Sequence, residues 1–265
     1  MALGRLTQVL RDRRNKAEMA DASYWDARAT SRSGYARSVW HSETFSEAWD
    51  ERQRELLRGS LEASLGSLAG KRLADVGCGT GRISRHFAAL GAEVTGYDFS
   101  PATVAAAERE AAEAGLAVRF VVADVSAGRL PGDEGSFDGA LSVGCLAVAC
   151  RDAGSLDAAL AGIARLVRPG GVVHLLEPIH TSRLLGRLLR LPVDAWVEAA
   201  GRAGLALEGV EGMGLWPVRL ALASFDLPAW LVRPVFFAGE RALGSLPALE
   251  RAGADYKLLR LRRER

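Results

Sequence analysis

Between residues 71 and 177 strand-like and helix-like patterns take turns, and no other feature restricts the possible folds as much. The runs "KRLADVG" (71–77), "AEVTGYD" (92–98), "AVRFVVAD" (117–124), "FDGALSVG" (137–144) and "GGVVHLLE" (170–177) are short and apolar, as buried strands are. Helical spacing fills the gaps. Ile83, Phe87 and Leu90 share one face of residues 82–90 before Gly91. Ser100 and Pro101 stand at the cap and first-turn positions of an alanine-rich helix that stops at Gly115. Leu156, Leu160, Ile163 and Val167 form a stripe capped by Ser155 and closed by "RPGG". Strands apolar on both faces, separated by amphipathic helices, predict a doubly wound, mostly parallel α/β sheet covered on both sides. "LALEGVE" (205–211) and "ADYKLLRLRR" (254–263) bring the strands to seven, with a helix at "DAWVEAAGRAG" (194–204).

The chain has 265 residues, 49% of them hydrophobic, enough for one substantial core with additions. Residues 1–69 read as an N-terminal helical arm or lid, including a helix over 45–68 with Phe45, Trp49, Leu57 and Leu61 on its stripe. Residues 70–265 read as the core, with covering insertions at about 180–195 and at 213–250, before the last strand. A formal net charge of +2 gives no global attraction to nucleic acid or to a membrane. Three cysteines without a CxxC pair and four scattered histidines predict reduced thiols and no metal site. No stretch of about 18 apolar residues occurs, and the expected location is the cytoplasm.

"LADVGCGTGRIS" (73–84) places an acid in a buried strand and runs straight into a turn with few side chains. A turn after the first strand of such a sheet lies where this class of fold binds ligands, and its glycines let backbone amides approach one closely. The spacing selects the ligand. Counting from Gly77 and Gly79, the last position of the dinucleotide pattern G-x-G-x-x-G falls on Arg82, which disfavours a nicotinamide dehydrogenase. The sequence reads D-x-G-x-G-x-G instead, from Asp75 to Gly81.

That pattern, with the order of strands and acids that follows it over residues 70 to 180, resembles the class I S-adenosylmethionine (SAM) dependent methyltransferases, the Rossmann-like fold of small-molecule type. The resemblance implies that the turn Gly77, Cys78, Gly79 and Gly81 cradles the methionine and ribose end of SAM. It also implies that Asp75 helps hold the cofactor's amino group; a buried carboxylate satisfied by backbone amides is the alternative. Asp98, at the end of the second strand, is placed to accept both ribose hydroxyls. Phe99 follows it, either against the adenine or in the core. Asp124 stands where the family has an adenine-binding acid, and Val125 would offer its amide; a turn-forming aspartate is the alternative. Ser142, Gly144 and Cys145 lead to the cofactor's reactive end. The fourth strand is not followed by an Asn/Asp-Pro-Pro-Tyr/Phe signature, which speaks against a nucleic-acid substrate.

Acceptor recognition is expected from the additions to the core. In "SYWDARATSRSGYARSVWHSETF" the candidates are Tyr35 or Arg37 near the methionine carboxylate, Trp40 against the acceptor, and His41; the segment closes as a lid or packs as an arm. Glu177 and His180 follow the fifth strand on the ligand side, Glu177 as an acceptor contact and His180 as the general base, with His41 in reserve. His174, inside the strand, reads as a hydrogen-bonded core histidine. A helix over 183–190 would set Arg183, Arg187 and Arg190 against a leucine face, either on a membrane or as an ordinary cover. Trp216, with Trp230, Phe236 and Phe237, either extends the apolar wall or forms the core of its own insertion. The expected activity is metal-independent methyl transfer from SAM, leaving S-adenosylhomocysteine (SAH), to a small-molecule acceptor, at oxygen. A lipid-like or isoprenoid acceptor at the membrane surface, and a SAM-binding cyclase or partner subunit that moves no methyl, are the alternatives.

Overall fold

The computed structural model describes residues 16–31, 42–182, 188–225, 227–245 and 253–265. Seven strands form one sheet: β1 (Arg72–Val76), β2 (Glu93–Asp98), β3 (Val118–Val122), β4 (Phe137–Val143), β5 (Val167–Glu177), β6 (Leu205–Leu215) and β7 (Ala254–Arg263). Their spatial order is β3-β2-β1-β4-β5-β7-β6. β1 to β5 pair in parallel, and β7 runs antiparallel to both β5 and β6. The order reverses between β1 and β4. Connections leave the carboxyl edge there in opposite directions, which opens a crevice between them.

Alternation along the strands sends successive side chains to opposite covers. On one face Ala74, Val76, Val173 and Leu175 pack against α5 (Leu146–Ala149), α6 (Ala153–Leu166) and α7 (Val193–Arg202). On the other, Leu73, Leu141, Val172 and Leu176 meet α2 (Glu43–Leu65), α3 (Arg82–Ala89), α8 (Trp216–Ser224) and α9 (Ala229–Ser245). α4 (Pro101–Glu113) covers the β2–β3 edge, its Val104 and Ala107 clustering with Phe120 of β3. Preceding α2, a 3-10 turn (Lys16–Ala20) leads into α1 (Ala22–Ser31). Phe45, Leu57, Leu61 and Phe87 are wholly buried, each contributing about 1.5–3 kcal/mol of transfer free energy.

Local chemistry fixes the helix ends and corrects several sequence expectations. Ser100 caps α4, its hydroxyl accepting from Thr103 N at 3.1 Å, with Pro101 in the first turn. For α6 the cap is Asp152, not Ser155: Ser155 lies three residues further on and completes a reciprocal capping box with Asp152. Val167 is not the end of the α6 stripe but the first residue of β5. Asp124 does not close β3, which ends at Val122. Its carboxylate instead caps a 3-10 turn (Val125–Ala127) by accepting from Ser126 N at 2.8 Å. β6 runs four residues past the expected Glu211, and the insertion after it folds as the pair α8 and α9. Residues 183–187 of the expected basic helix lie outside the described residues; 188–192 are irregular, with Leu189 buried and its amide donating to Ala147 O at 3.0 Å.

Candidate functional site

The crevice at the carboxyl ends of β1, β2 and β4 is a deep cavity, and the glycine turn forms its floor. Gly77 and Cys78 both donate their amides to Tyr97 O, at 2.7 and 3.0 Å, which clamps the turn to β2. Gly77 has φ +74°, and a Cβ on it would collide with Cys145 Sγ, so only glycine lets the loops after β1 and β4 close together. Gly79 is the reverse case: a Cβ there would meet nothing within 4 Å, because the space above it is the cavity. Gly81 caps α3 and backs onto the Phe120 ring; it does not line the cavity.

Two carboxylates face this floor, Asp75 buried and Asp98 half-buried. Asp75 accepts the Ser84 hydroxyl at 2.5 Å, and burial pushes its pKa up to about 6 against the pull of that bond and of Arg82. The acid lines the cavity, and its partners are the hydroxyl and the backbone amide of Ser84, at the start of α3. Asp98 accepts from Gly79 N at 2.9 Å with Oδ2 and from Ser100 N at 3.0 Å with Oδ1. Burial raises its pKa, while those two amides oppose the rise. Phe99, Asp124 and Val125 line the same cavity, on the side below β3. Cys78 and Cys145 line it as neutral thiols, since burial pushes both far above the ordinary thiol range.

The expected acceptor residues are distributed differently. Tyr35, Arg37, Trp40 and His41 lie outside the described residues. Glu177 is fully buried and lines no part of the cavity. Its Oε1 accepts from Ser142 Oγ, Cys145 N and Leu146 N at 3.0–3.1 Å, and its Oε2 from Ala147 N at 3.1 Å. The acid at the end of β5 therefore anchors the first turn of α5 and does not reach an acceptor. Burial pushes its pKa up to about 7, against those four donors. His180 also turns away. With Ile179 buried in the core beside α7, the ring lies against β7, Nε2 at 2.7 Å from Asp255 O and 3.2 Å from Asp255 Oδ1, where Arg219 also binds Asp255 at 2.7 Å. Trp216 opens α8 outside the cavity lining, Phe236 is core, and Trp230 is 76% exposed. His174 is fully buried but has no hydrogen-bond partner among the described residues, a correction to the expected bonded histidine; burial holds it neutral, with a pKa near 4.

Sequence reasoning passed over part of the cavity. α2 contributes Ser46, Trp49, Asp50 and Gln53, and β7 contributes Tyr256, whose ring meets Trp49 edge-on with centroids 5.2 Å apart. Arg82, which marked the failure of the dinucleotide pattern, is a cavity residue held by Asp50 and by Gln53 Oε1 at 2.5 Å. The readable signal was its position directly after the last glycine of the turn. Its partners are 32 and 29 residues away and carry no local mark.

The methyltransferase-domain family matches residues 73–171, the stretch from β1 into β5. A malonyl-[acyl-carrier protein] O-methyltransferase of Pseudescherichia vulneris is 33% identical over 211 residues, 76% of this chain and 73% of that protein. The chain belongs to the class I SAM-dependent methyltransferases. Other relatives of this methyltransferase include a malonyl-[acyl-carrier protein] O-methyltransferase of Salmonella typhimurium, 39% identical over 58% of this chain, and a demethylmenaquinone methyltransferase of Tropheryma whipplei, 34% identical over 48% of it. Against these two the chain spans about half the relative's length, 56% and 50%. The fold is that of magnesium protoporphyrin IX methyltransferase from Synechocystis PCC 6803 solved with bound SAM: TM-score 0.60, 17% identity, over 94% of this chain and 95% of that one. SAM is the cofactor of the family, and the methyltransferase's own residues fit it. The cradle over Gly79 is open where a side chain would fill it, and the buried Asp75 and half-buried Asp98 line the cavity as acceptors suited to an ammonium group and to ribose hydroxyls.

Proposed function

We propose that this methyltransferase moves the methyl group of SAM to an oxygen of a small-molecule acceptor in metabolism. One observation carries the reading: a single cavity joins the glycine turn and its two carboxylates to an apolar, aromatic wall made by Met19, Trp25, Trp49, Val148 and Tyr256. Cofactor and acceptor can then meet inside one water-poor space. When bound, SAM supplies a methyl already activated by the sulfonium. The chain's task is to hold the two partners in line and to let a proton leave.

The residues divide that task. Asp98 spends one hydrogen bond per oxygen on Gly79 and Ser100, and its remaining lone pairs take the ribose hydroxyls. Asp75, ionised, balances the ammonium group. Arg82, fixed by Asp50 and Gln53, directs its guanidinium to the methionine carboxylate. Val125 and Asp124 meet the adenine edge, and Phe99 packs on its face. Gly144 and Cys145, locked by Glu177 through the Cys145 amide, shape the end where the acceptor oxygen arrives. His41, one residue before the Ser42 cap of α2, takes the acceptor's proton. Oxygen as the atom methylated is supported by the relatives named O-methyltransferases, among them a ubiquinone biosynthesis O-methyltransferase of Chromobacterium violaceum, 30% identical over 57% of this chain and 72% of that protein. The test is incubation with methyl-labelled SAM and panels of phenolic, carboxylic and hydroxyl acceptors. Label in an ester or ether supports the reading, and label on carbon or nitrogen alone overturns the choice of oxygen.

A further inference from the structure

We propose that Asp26 is a positioning residue that latches the segment 16–31 over the mouth of the cofactor cleft and ties its closure to Asp98. Asp26 Oδ1 accepts the Ser100 hydroxyl at 2.5 Å and the Ala102 amide at 3.1 Å, across 74 and 76 residues of sequence. The Ala102 amide is one of the first-turn donors that α4 cannot satisfy by itself, and a carboxylate there also gains from the helix's positive end. Ser100 continues the connection inward. Its amide donates to Asp98 Oδ1 at 3.0 Å, and Asp98 Oδ2 in turn receives Gly79 N at 2.9 Å. An unbroken series of short bonds therefore runs from α1 through the α4 cap and the ribose-binding acid to the glycine turn. Asp98 registers the nearby charge: after burial, the Asp26 carboxylate is among the influences that raise its pKa.

The rest of the segment is shaped as a cover. Met19 and Ala29 are buried and, with Trp25, line the cavity from above. Trp25 Nε1 donates to Met19 O at 2.7 Å, which fixes the indole plane. The buried Arg28 donates to the Tyr24 hydroxyl at 2.9 Å and lies over the Tyr24 and Trp25 rings. These contacts stiffen the cover internally. Asp26 bonds it to the N-terminal cap of α4, two residues after Asp98. With the latch shut, ligand in the cleft is held under Trp25 and Met19, and exchange requires Asp26 to release Ser100 and Ala102.

This inference rests on SAM occupying the cleft, so its test has one arm that needs no ligand. Hydrogen exchange over residues 16–31 of the ligand-free protein, and the SAH dissociation rate, are compared in the wild type, Asp26→Ala and Asp26→Asn. Asp26→Ala is expected to speed exchange over 16–31 and to accelerate SAH release about tenfold, while exchange in β1 and β4 stays unchanged. Asp26→Asn keeps an acceptor oxygen without the charge and falls between. Wild-type exchange over 16–31 in Asp26→Ala, or an opened segment with unchanged SAH release, overturns the proposal. A wild-type protein that binds no SAH contradicts the methyltransferase reading instead, and the ligand-free exchange still decides the latch.

Discussion

The two ends of the cavity are built on different principles. At the cofactor end the groups are close in sequence to the strand that presents them: Asp75 within β1, the glycines directly after it, Asp98 as the last residue of β2. At the apolar end, where we propose the acceptor enters, the wall is assembled from Trp49, Val148 and Tyr256, which come from α2, α5 and β7. Backbone geometry fixes the first set, whereas tertiary packing fixes the second. The lesson is that a ligand read by a turn is written in a turn, and a ligand read by a wall is written across the chain.

The contrast makes the proton acceptor the place to expect the largest effect. Of the two histidines considered, His180 is spent on Asp255, so replacing His41 by alanine is expected to lower kcat by about 10² to 10⁴ and His180→Ala to leave it within a few-fold. Steady-state kinetics with an identified acceptor checks the pair, and the opposite outcome would move the chemistry back to the end of β5.

Next in size is Asp98. Its replacement by alanine is expected to weaken SAH by about 1.5–3 kcal/mol, with Asp98→Asn doing less because one acceptor oxygen remains. Calorimetric titration measures both, and unchanged affinity in Asp98→Ala would detach the local end of the cavity from the cofactor.

Asp75 supplies a pH dependence. Its pKa in the ligand-free protein is about 6, raised from 3.8, so the native state holds a proton that the unfolded chain loses. The stability this gives is complete below about pH 3.8 and disappears as pH rises through 6. A ligand ammonium favours the ionised acid. SAH affinity is therefore expected to be level above pH 6 and to fall by up to about tenfold per unit below it, with proton uptake on release. A flat affinity from pH 5 to 8 would show that Asp75 does not face the ligand's charge.

The smallest expected effect on cofactor affinity belongs to the far side of the wall. His180→Ala removes a partner of the buried Asp255 and is expected to cost about 1–3 kcal/mol of stability in denaturant unfolding, with SAH affinity unchanged. A loss of SAH affinity equal to that of Asp98→Ala would erase the distinction between the two ends.

What the sequence made readable follows the same division. The strands, the helix stripes, and the positions of Asp75, Asp98, Phe99 and Val125 could be read because each depends on neighbours within one turn or one strand. Glu177 and His180 were misplaced for a physical reason. A carboxylate at the carboxyl end of a strand can serve a ligand or a helix N-terminus, and only the position of α5, packed beside β5, decides between them. His180 is turned by its pairing with Asp255, 75 residues later. Arg82 stood in plain view but took its meaning from Asp50 and Gln53 on α2, and Asp26 took its meaning from the cap of α4. Capping pairs such as Asp152 with Ser155 are local, yet both residues are good caps, so only the backbone identifies which one begins the helix.

The most direct test of the central claim is a calorimetric titration of the purified chain with SAH and, separately, with NADH. The account predicts saturable binding of SAH at one site per chain and no heat from NADH, because the glycine spacing and the Asp75–Asp98 pair suit an adenosyl ligand carrying positive charge and not a pyrophosphate. Saturable NADH binding with none for SAH would contradict it.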